Sequence, residues 1–222
     1  MLNNIFLINS FAFLGLIGIS LLLYSILMQT VQYPMQDVQL DTKTEVYSVW
    51  GLPSEDVSNR IKKLMNGLRL EFGGPQFEPH VTIVGAIRLS EEEARDKFRK
   101  GSQEGVKVVY TGVVEKVDVG TSFYQCVYLL LHPTTEVVEA SARCCGSFGY
   151  NSSSPYMPHL SLLYAELTDE EKKKAQEKAY TLDESIGNLS FQITRLALYR
   201  TDTEDKSLKS WEKIEEYNLS TN

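Results

Sequence analysis

Two stretches of this chain carry one pattern, and their duplication constrains the fold more than any other feature. They are "FEPHVTIVG" at residues 77–85 and "YMPHLSLLY" at residues 156–164. Each reads aromatic, any residue, Pro, His, aliphatic, hydroxyl, aliphatic, aliphatic. A short turn and a capping box, "SEEE" or "TDEE", follow each stretch and predict the start of a helix. The repeat therefore predicts two lobes related by an approximate two-fold axis.

Each repeated strand places a histidine and a hydroxyl on one face. Because side chains alternate along a strand, His80 and Thr82 share a face. His159 and Ser161 share the equivalent face of the second strand. If the lobes meet about a two-fold axis, the two faces converge on one cleft. The third histidine, His132, precedes a proline and is predicted to lie on the surface or in a loop.

Two imidazoles that face one reaction centre suit acid–base catalysis near neutral pH, with one ring neutral and the other protonated. The hydroxyls are neutral donors that can stabilise oxygens as negative charge develops. A single histidine on a strand is usually structural, but the duplicated context favours function, and these groups together fit phosphodiester hydrolysis. Since each motif supplies one nitrogen and no further ligand has metal-site spacing, we expect neither a metal nor another cofactor.

Interleaved strands and helices predict an α+β chain with antiparallel sheets. The strands predicted outside the repeat cover residues 45–52, 106–119, 123–131, 189–201 and 210–219. One helix is predicted to follow Ser54 and to end at Gly73, and another covers about residues 134–146.

The composition is that of a globular protein, with 43% hydrophobic residues and a formal net charge of −7. This charge argues against a long nucleic acid or an anionic membrane surface as a partner. It permits a small anionic substrate, because local donors outweigh distant, screened carboxylates. Cys126, Cys144 and Cys145 form no disulfide framework, which favours a reducing compartment.

The N-terminal residues have a different character from the rest. Residues 5–28 are apolar apart from four uncharged polar side chains and are long enough to span a bilayer. One interpretation is a single-pass membrane anchor. The other is a gene-model extension, or a true start at Met35. We divide the chain into a hydrophobic segment at 1–34, a linker at 35–44 and a two-lobed domain at 45–222.

Three N-x-S sequons bear on the location of that domain, at Asn151, Asn188 and Asn218. A glycan on Asn151 would crowd His159, which lies eight residues later. This favours a cytoplasmic catalytic domain, which we expect to act as a monomer on a small molecule.

The paired "PHVT" and "PHLS" motifs resemble the two-histidine (2H) phosphoesterase superfamily, whose signature is a duplicated H-x-[T/S]-x. The stretches "VYSVWGLP", "TSFYQCVYLLL", "PYMPHLSLLYAELTDEEKKKAQEKAYTLD" and "RLALYRTDTEDKSLKSWE" resemble the plant cyclic phosphodiesterases of that superfamily. The resemblance covers about residues 45–219. It implies two pseudo-symmetric lobes of antiparallel β-sheet, flanked by helices, around a central groove.

The resemblance also implies an activity. Such enzymes are metal-independent and open ADP-ribose 1″,2″-cyclic phosphate, a by-product of tRNA splicing, to ADP-ribose 1″-phosphate. They also hydrolyse nucleoside 2′,3′-cyclic phosphates to 2′-phosphates. Carried onto this chain, the catalytic tetrad is His80, Thr82, His159 and Ser161. By the same analogy, His159 activates water and His80 protonates the leaving oxygen.

Three aromatic residues are implied to lie in the same site. Tyr164 matches a position that lines the phosphate pocket, and Tyr124 and Trp50 match aromatics near the base or ribose, where stacking tolerates any sequence. On a regular strand Tyr164 faces away from His159, because five residues separate them. It reaches the pocket only if the strand ends, twists or bulges.

Other functions stay open at this point. A relative that processes RNA ends, such as a 2′–5′ RNA ligase-like protein, is the nearest enzymatic alternative, although the low positive charge argues against a long RNA track. A catalytically silent nucleotide- or RNA-binding module has no need of both imidazoles. A membrane-anchored adaptor would depend on the first 30 residues.

Overall fold

A computed structural model describes residues 43–151 and 155–221. The predicted membrane span at residues 5–28 and nearly all of the predicted linker lie outside these ranges. Within them, no helix has both the length and the apolar character needed to cross a bilayer.

The described residues form seven β-strands and four α-helices. The strands are β1 Thr44–Pro53, β2 Val81–Ser90, β3 Tyr110–Val119, β4 Val127–Leu131, β5 His159–Leu163, β6 Ser190–Arg200 and β7 Glu212–Asn218. The helices are α1 Glu55–Phe72, α2 Glu91–Lys100, α3 Thr135–Phe148 and α4 Asp169–Leu182. The predicted α+β class with antiparallel pairing is confirmed.

All pairings between these strands are antiparallel, in the order β1-β2-β5-β4-β3-β6-β7, and β1 also pairs with β6. Six strands therefore close into a ring, and β7 lies beside β6. The ring divides into two three-stranded lobes, β6-β1-β2 and β3-β4-β5. The motif strands β2 and β5 join the lobes through a single residue pair, Val81 with Leu160.

The helices follow the same two-fold relation. Each motif strand lies between two helices in the chain, α1 and α2 around β2 and α3 and α4 around β5. In space, each motif strand packs against a helix from the other repeat. Helix α1 packs against α4 and β5, and α3 packs against α2 and β2. The duplicated unit is therefore strand–helix–strand–helix, longer than the strand, turn and helix start that the sequence pattern predicts.

Local sequence explains the helix boundaries. Both predicted capping boxes form: Ser90 accepts from the Glu93 N–H, and Thr168 accepts from the Glu171 N–H. The apolar spacing in α1 buries one face, and Gly73 ends the helix as predicted, with φ of 75°.

Two strands that were predicted outside the repeat begin four residues later than expected. The run at 106–119 enters the ladder at Tyr110, after an isolated bridge between Val108 and Ser220. The run at 123–131 enters at Val127, because residues 123–125 form a 3₁₀ turn. That turn removes Tyr124 from the ladder and leaves its side chain free to line a groove.

The backbone before β2 passes very close to the backbone at the end of β5. Gly74 has φ of 94°, and a Cβ added there would lie 2.3 Å from the Tyr164 carbonyl oxygen. Only glycine combines this backbone conformation with this separation. Gly149 also has a positive φ, 65°, but has open space around it.

We expect Gly74→Ala to lower the free energy of unfolding by about 3 kcal/mol, because strain and a backbone clash add together. Gly149→Ala, which meets only the strain, should cost about 1 kcal/mol. Urea unfolding followed by circular dichroism measures both. Equal losses for the two variants would show that the Gly74–Tyr164 contact does not matter.

Candidate active site

The pairing of Val81 with Leu160 brings the four motif side chains together. Residues directly opposite in an antiparallel pair point to the same face, and both of these side chains are buried in the core. Their neighbours on each strand therefore point to the other face. Those neighbours are His80 and Thr82 on one strand, and His159 and Ser161 on the other, and all four line one groove.

Both histidines are held in the same tautomer. Nδ1 of His80 lies 2.6 Å from the Glu78 carbonyl oxygen, and Nδ1 of His159 lies 2.9 Å from the Met157 carbonyl oxygen. A carbonyl only accepts hydrogen bonds, so Nδ1 carries the proton in each ring. Each neutral ring therefore has its unprotonated nitrogen at Nε2, and the two-fold relation extends to the tautomers of the two rings.

The His80 ring is stacked against Trp50. The ring centroids are 3.6 Å apart and the planes differ by 6°. The opposite face of the indole is covered by Tyr199, at 3.7 Å and 19°. Since both faces of Trp50 are occupied and the residue is 3% exposed, no base can stack on it. Its expected contact with a base or ribose is restricted to its edge, and its main contact is with His80.

Burial shifts both imidazoles toward the neutral form. It lowers the pKa of His80 from 6.5 to about 4, with the Glu78 carbonyl opposing the shift and a charge on His159 adding to it. The same cause lowers the pKa of His159, opposed by the Met157 carbonyl. The rings are thus close enough to influence each other, and both are neutral at pH 7 when the groove holds no anion.

A bulge brings Tyr164 to the groove. Tyr128 pairs with Ser161 and Val127 pairs with Leu163, so Leu162 is an extra residue on its strand. The extra residue reverses the alternation, and the strand ends at Leu163. Tyr164 therefore lies on the side of His159 and Ser161, and it lines the groove. Burial raises the pKa of its phenol well above the ordinary value, opposed by a hydrogen bond with Ser161.

Aromatic side chains form one wall of the groove. Tyr164 stacks on Phe77, with centroids 3.8 Å apart, and meets Tyr124 edge-on at 5.3 Å. Tyr124 lies nearly parallel to Trp211, with centroids 5.8 Å apart. Loop contacts hold both: the Tyr124 hydroxyl donates to the Thr203 carbonyl. The Trp211 indole N–H likewise donates to a carbonyl of the loop after β6, at 2.8 Å.

Several lining residues were not predicted from the sequence. They are Ser48, Ala86, Ser122, Gln125, Thr201, Thr203 and Trp211. Most are small polar residues without a motif, brought in from β1 and from loops. Trp211 was predicted to lie in the last strand, at 210–219, but that strand begins at Glu212, and Trp211 precedes it and lines the groove.

The groove has a volume of about 340 Å³. Among the described residues that line it, none is Lys, Arg, Asp or Glu, so its polar groups are hydroxyls, an amide, two indole N–H groups and two imidazoles. The described ranges also contain no group of three His, Cys, Asp or Glu side chains placed to hold a metal ion. His132 is exposed after β4, with Nδ1 3.9 Å from Glu115 and no place in the groove.

Comparison with known proteins agrees with this fold. A family model described as "Cyclic phosphodiesterase-like protein" matches residues 46–220. An Arabidopsis thaliana cyclic phosphodiesterase is 54% identical over 180 residues, which is 81% of this chain and 98% of the relative. A Triticum aestivum cyclic phosphodiesterase is 29% identical over 100 residues, 45% of this chain and 94% of the relative. The E. coli LigT structure complexed with 3′-AMP has a TM-score of 0.54 at 14% identity, covering 80% of this chain and 99% of LigT.

We expect the stability of the protein to fall between pH 7 and pH 4, in part because of His80. Its folded-state pKa of about 4 lies below the unfolded value of 6.5, so the unfolded chain binds more protons in this window. The loss from this residue is at most about 3 kcal/mol. Urea unfolding at several pH values should give a shallower pH dependence for His80→Gln than for the wild type. Identical slopes would contradict a neutral, buried His80.

Proposed function

Since this chain belongs to the cyclic phosphodiesterase family, and its fold is that of the 2H phosphoesterases, we propose the substrates and the residues of its reaction. It opens ADP-ribose 1″,2″-cyclic phosphate to ADP-ribose 1″-phosphate, and nucleoside 2′,3′-cyclic phosphates to nucleoside 2′-phosphates. One observation carries the proposal: two imidazoles in the same tautomer and two hydroxyls share one face about a two-fold axis.

Hydrolysis uses the two rings in opposite roles. Nε2 of His159 accepts a proton from water as the water oxygen bonds to phosphorus. The bond from phosphorus to the 3′ oxygen breaks, and that oxygen takes the proton from Nε2 of His80. The product keeps its phosphate on the 2′ oxygen. In ADP-ribose cyclic phosphate the bond to the 2″ oxygen breaks instead. Exchange with solvent then restores both histidines.

The negative charge of the substrate favours the protonated imidazole that the reaction requires. Both rings are neutral in the empty groove, so one must gain a proton before it can act as an acid. A phosphodiester anion between them favours the charged imidazole and raises its pKa. The indole face of Trp50 also favours a positive charge on His80, because a cation over an aromatic face is stabilised. We assign the acid role to His80 by the family resemblance. Its ring is the more deeply buried of the two, and the bound anion and the indole face offset the effect of that burial on its pKa.

Neutral hydroxyls suit a reaction in which negative charge increases on the oxygens bonded to phosphorus. By extension of the Val81–Leu160 register, Thr82 lies opposite His159 and Ser161 lies opposite His80, where their hydroxyls can donate to the non-bridging oxygens. The described lining holds no permanent cation. A phosphomonoester product carries more negative charge than the diester, so a groove without Lys or Arg releases it readily.

The comparison with LigT supports a small nucleotide as the ligand, since LigT has been crystallised with 3′-AMP. The half-buried rings of Tyr124 and Trp211 offer flat surfaces beside the phosphate position. Base stacking on such surfaces contributes about 1–3 kcal/mol and does not require a particular base.

We expect His80→Ala and His159→Ala each to reduce kcat by about 10²–10⁴, because each removes a proton-transfer group. Thr82→Ala and Ser161→Ala should each reduce it by about 10²–10³. Steady-state hydrolysis of 2′,3′-cyclic AMP measures these effects. His132→Ala is the matched control and should leave kcat unchanged. Turnover close to wild type from either groove-histidine variant would exclude the mechanism.

A product assay tests the substrates. The protein is incubated with ADP-ribose 1″,2″-cyclic phosphate and with 2′,3′-cyclic AMP in EDTA, and ³¹P NMR identifies the product isomer. We expect turnover of both, unchanged by EDTA, with ADP-ribose 1″-phosphate and 2′-AMP as products. Formation of 3′-AMP would contradict the proposed bond cleavage, and inhibition by EDTA would contradict metal independence. Failure of both substrates would favour a binding module.

A further inference from the structure

A second cavity borders the groove. Its volume is about 690 Å³, roughly twice the 340 Å³ of the groove. Thr82, Gln125 and His159 line both, so the two spaces meet beside the proposed phosphate position. The proposed reaction with a cyclic mononucleotide makes no use of this second space.

The second cavity is walled by one face of α3 and by aromatic side chains. Val138, Ala142 and Cys145 come from the helix, and Tyr150 and Tyr156 come from the chain that follows it. None of its described lining residues is Lys, Arg, Asp or Glu. An uncharged, largely flat group therefore suits it better than a phosphate does.

The aromatic walls are held in place. The Tyr156 hydroxyl donates to the Thr82 carbonyl at 2.8 Å, which ties this wall to the motif strand. Tyr150 approaches β2 so closely that a Cβ on Gly85 would lie 2.5 Å from its hydroxyl oxygen. Rigid tyrosine rings provide stacking surfaces at a small entropic cost.

Exposed apolar side chains collect at the same place. Val138 is 37% exposed and Met157 is 41% exposed, and both line the cavity. Apolar groups gathered at a cavity, unlike scattered ones, indicate a binding surface. Methionine also adapts its shape to a flat partner.

The chemistry of the substrate indicates what enters. In a cyclic phosphate the sugar is held at the reacting oxygens, and any extension leaves through its 5′ oxygen. In ADP-ribose cyclic phosphate that extension is a diphosphate followed by adenosine. In an RNA end it is a phosphate followed by the preceding nucleoside. Both have a neutral base and sugar beyond a phosphate link, and the Gln125 amide at the junction is a donor for that link.

We propose that the second cavity binds the nucleoside attached through phosphate to the 5′ oxygen of the sugar that carries the cyclic phosphate. This inference rests on the proposed function and assigns the enzyme a preference for extended substrates over cyclic mononucleotides. The groove performs the reaction, and the second cavity contributes binding energy from a part of the substrate that does not react.

Ala142→Trp tests the cavity by filling it. Ala142 is exposed on α3, so the substitution is compatible with folding, and Val138→Trp, one turn earlier, is a second filling variant. Arg143→Trp is the matched control, because Arg143 is exposed on the same helix but does not line the cavity. The measurement is kcat/KM for ADP-ribose 1″,2″-cyclic phosphate, a dinucleotide 2′,3′-cyclic phosphate and 2′,3′-cyclic AMP.

We expect both filling variants to lower kcat/KM for an extended substrate about 10-fold more than for 2′,3′-cyclic AMP, the loss of one stacked base. The control, Arg143→Trp, should leave kcat/KM unchanged for the extended substrates and for 2′,3′-cyclic AMP. A selective loss with the ADP-ribose compound identifies its adenosine as the occupant, and one with the dinucleotide identifies an RNA-end nucleoside. An equal loss for all three substrates, or none, overturns the proposal.

A binding measurement separates this proposal from the proposed function. Calorimetry of ADP-ribose binding should give a dissociation constant about 10-fold higher for Ala142→Trp than for wild type and Arg143→Trp. If the wild type turns over no substrate, the proposed function fails while this result still decides on the cavity. Equal dissociation constants in all three proteins overturn the second subsite.

Discussion

The single pairing of Val81 with Leu160 determines how the rest of the site is built. It lies at the approximate two-fold axis, joins the motif strands of the two lobes, and directs two apolar side chains into the core. The polar neighbours then have only the other face available. A shift of one residue in this register would turn one motif's histidine and hydroxyl into the core. The repeated motif and the symmetry of the fold are therefore one constraint.

Burial keeps both imidazoles of the groove neutral, whereas the proposed reaction needs one of them to be charged. It lowers the pKa of both imidazoles, so the empty site is neutral, and the described lining contains no cation. In the proposed mechanism, the negative charge of a bound diester raises the pKa of one imidazole and so produces the charged ring that the reaction needs. Trp50, held between His80 and Tyr199, fixes the buried ring and presents an indole face to any positive charge on it. The same aromatic stack therefore positions the His80 ring and favours a positive charge on it.

Much of the fold was predictable because its signals are local. Capping boxes, apolar spacing and strand alternation are set by neighbouring residues, and they located the four helices and most strands. The late start of β4 was not predictable, because β-rich residues next to a 3₁₀ turn have no distinct pattern. The position of Tyr164 was also undecided, since a bulge at Leu162 depends on the partner strand. Trp50 satisfied the aromatic pattern, yet its neighbours in space occupy both of its faces.

By itself, the sequence determined that two strands each carry a histidine and a hydroxyl on one face, because alternation is a property of any strand. The duplicated context also indicated that the two strands hold equivalent positions in a repeated unit. Only the tertiary structure decided that Val81 meets Leu160, that a bulge reverses the alternation before Tyr164, and that Trp211 and the second cavity adjoin the groove. These features depend on contacts between residues far apart in the chain, and no local pattern encodes which distant surfaces will meet.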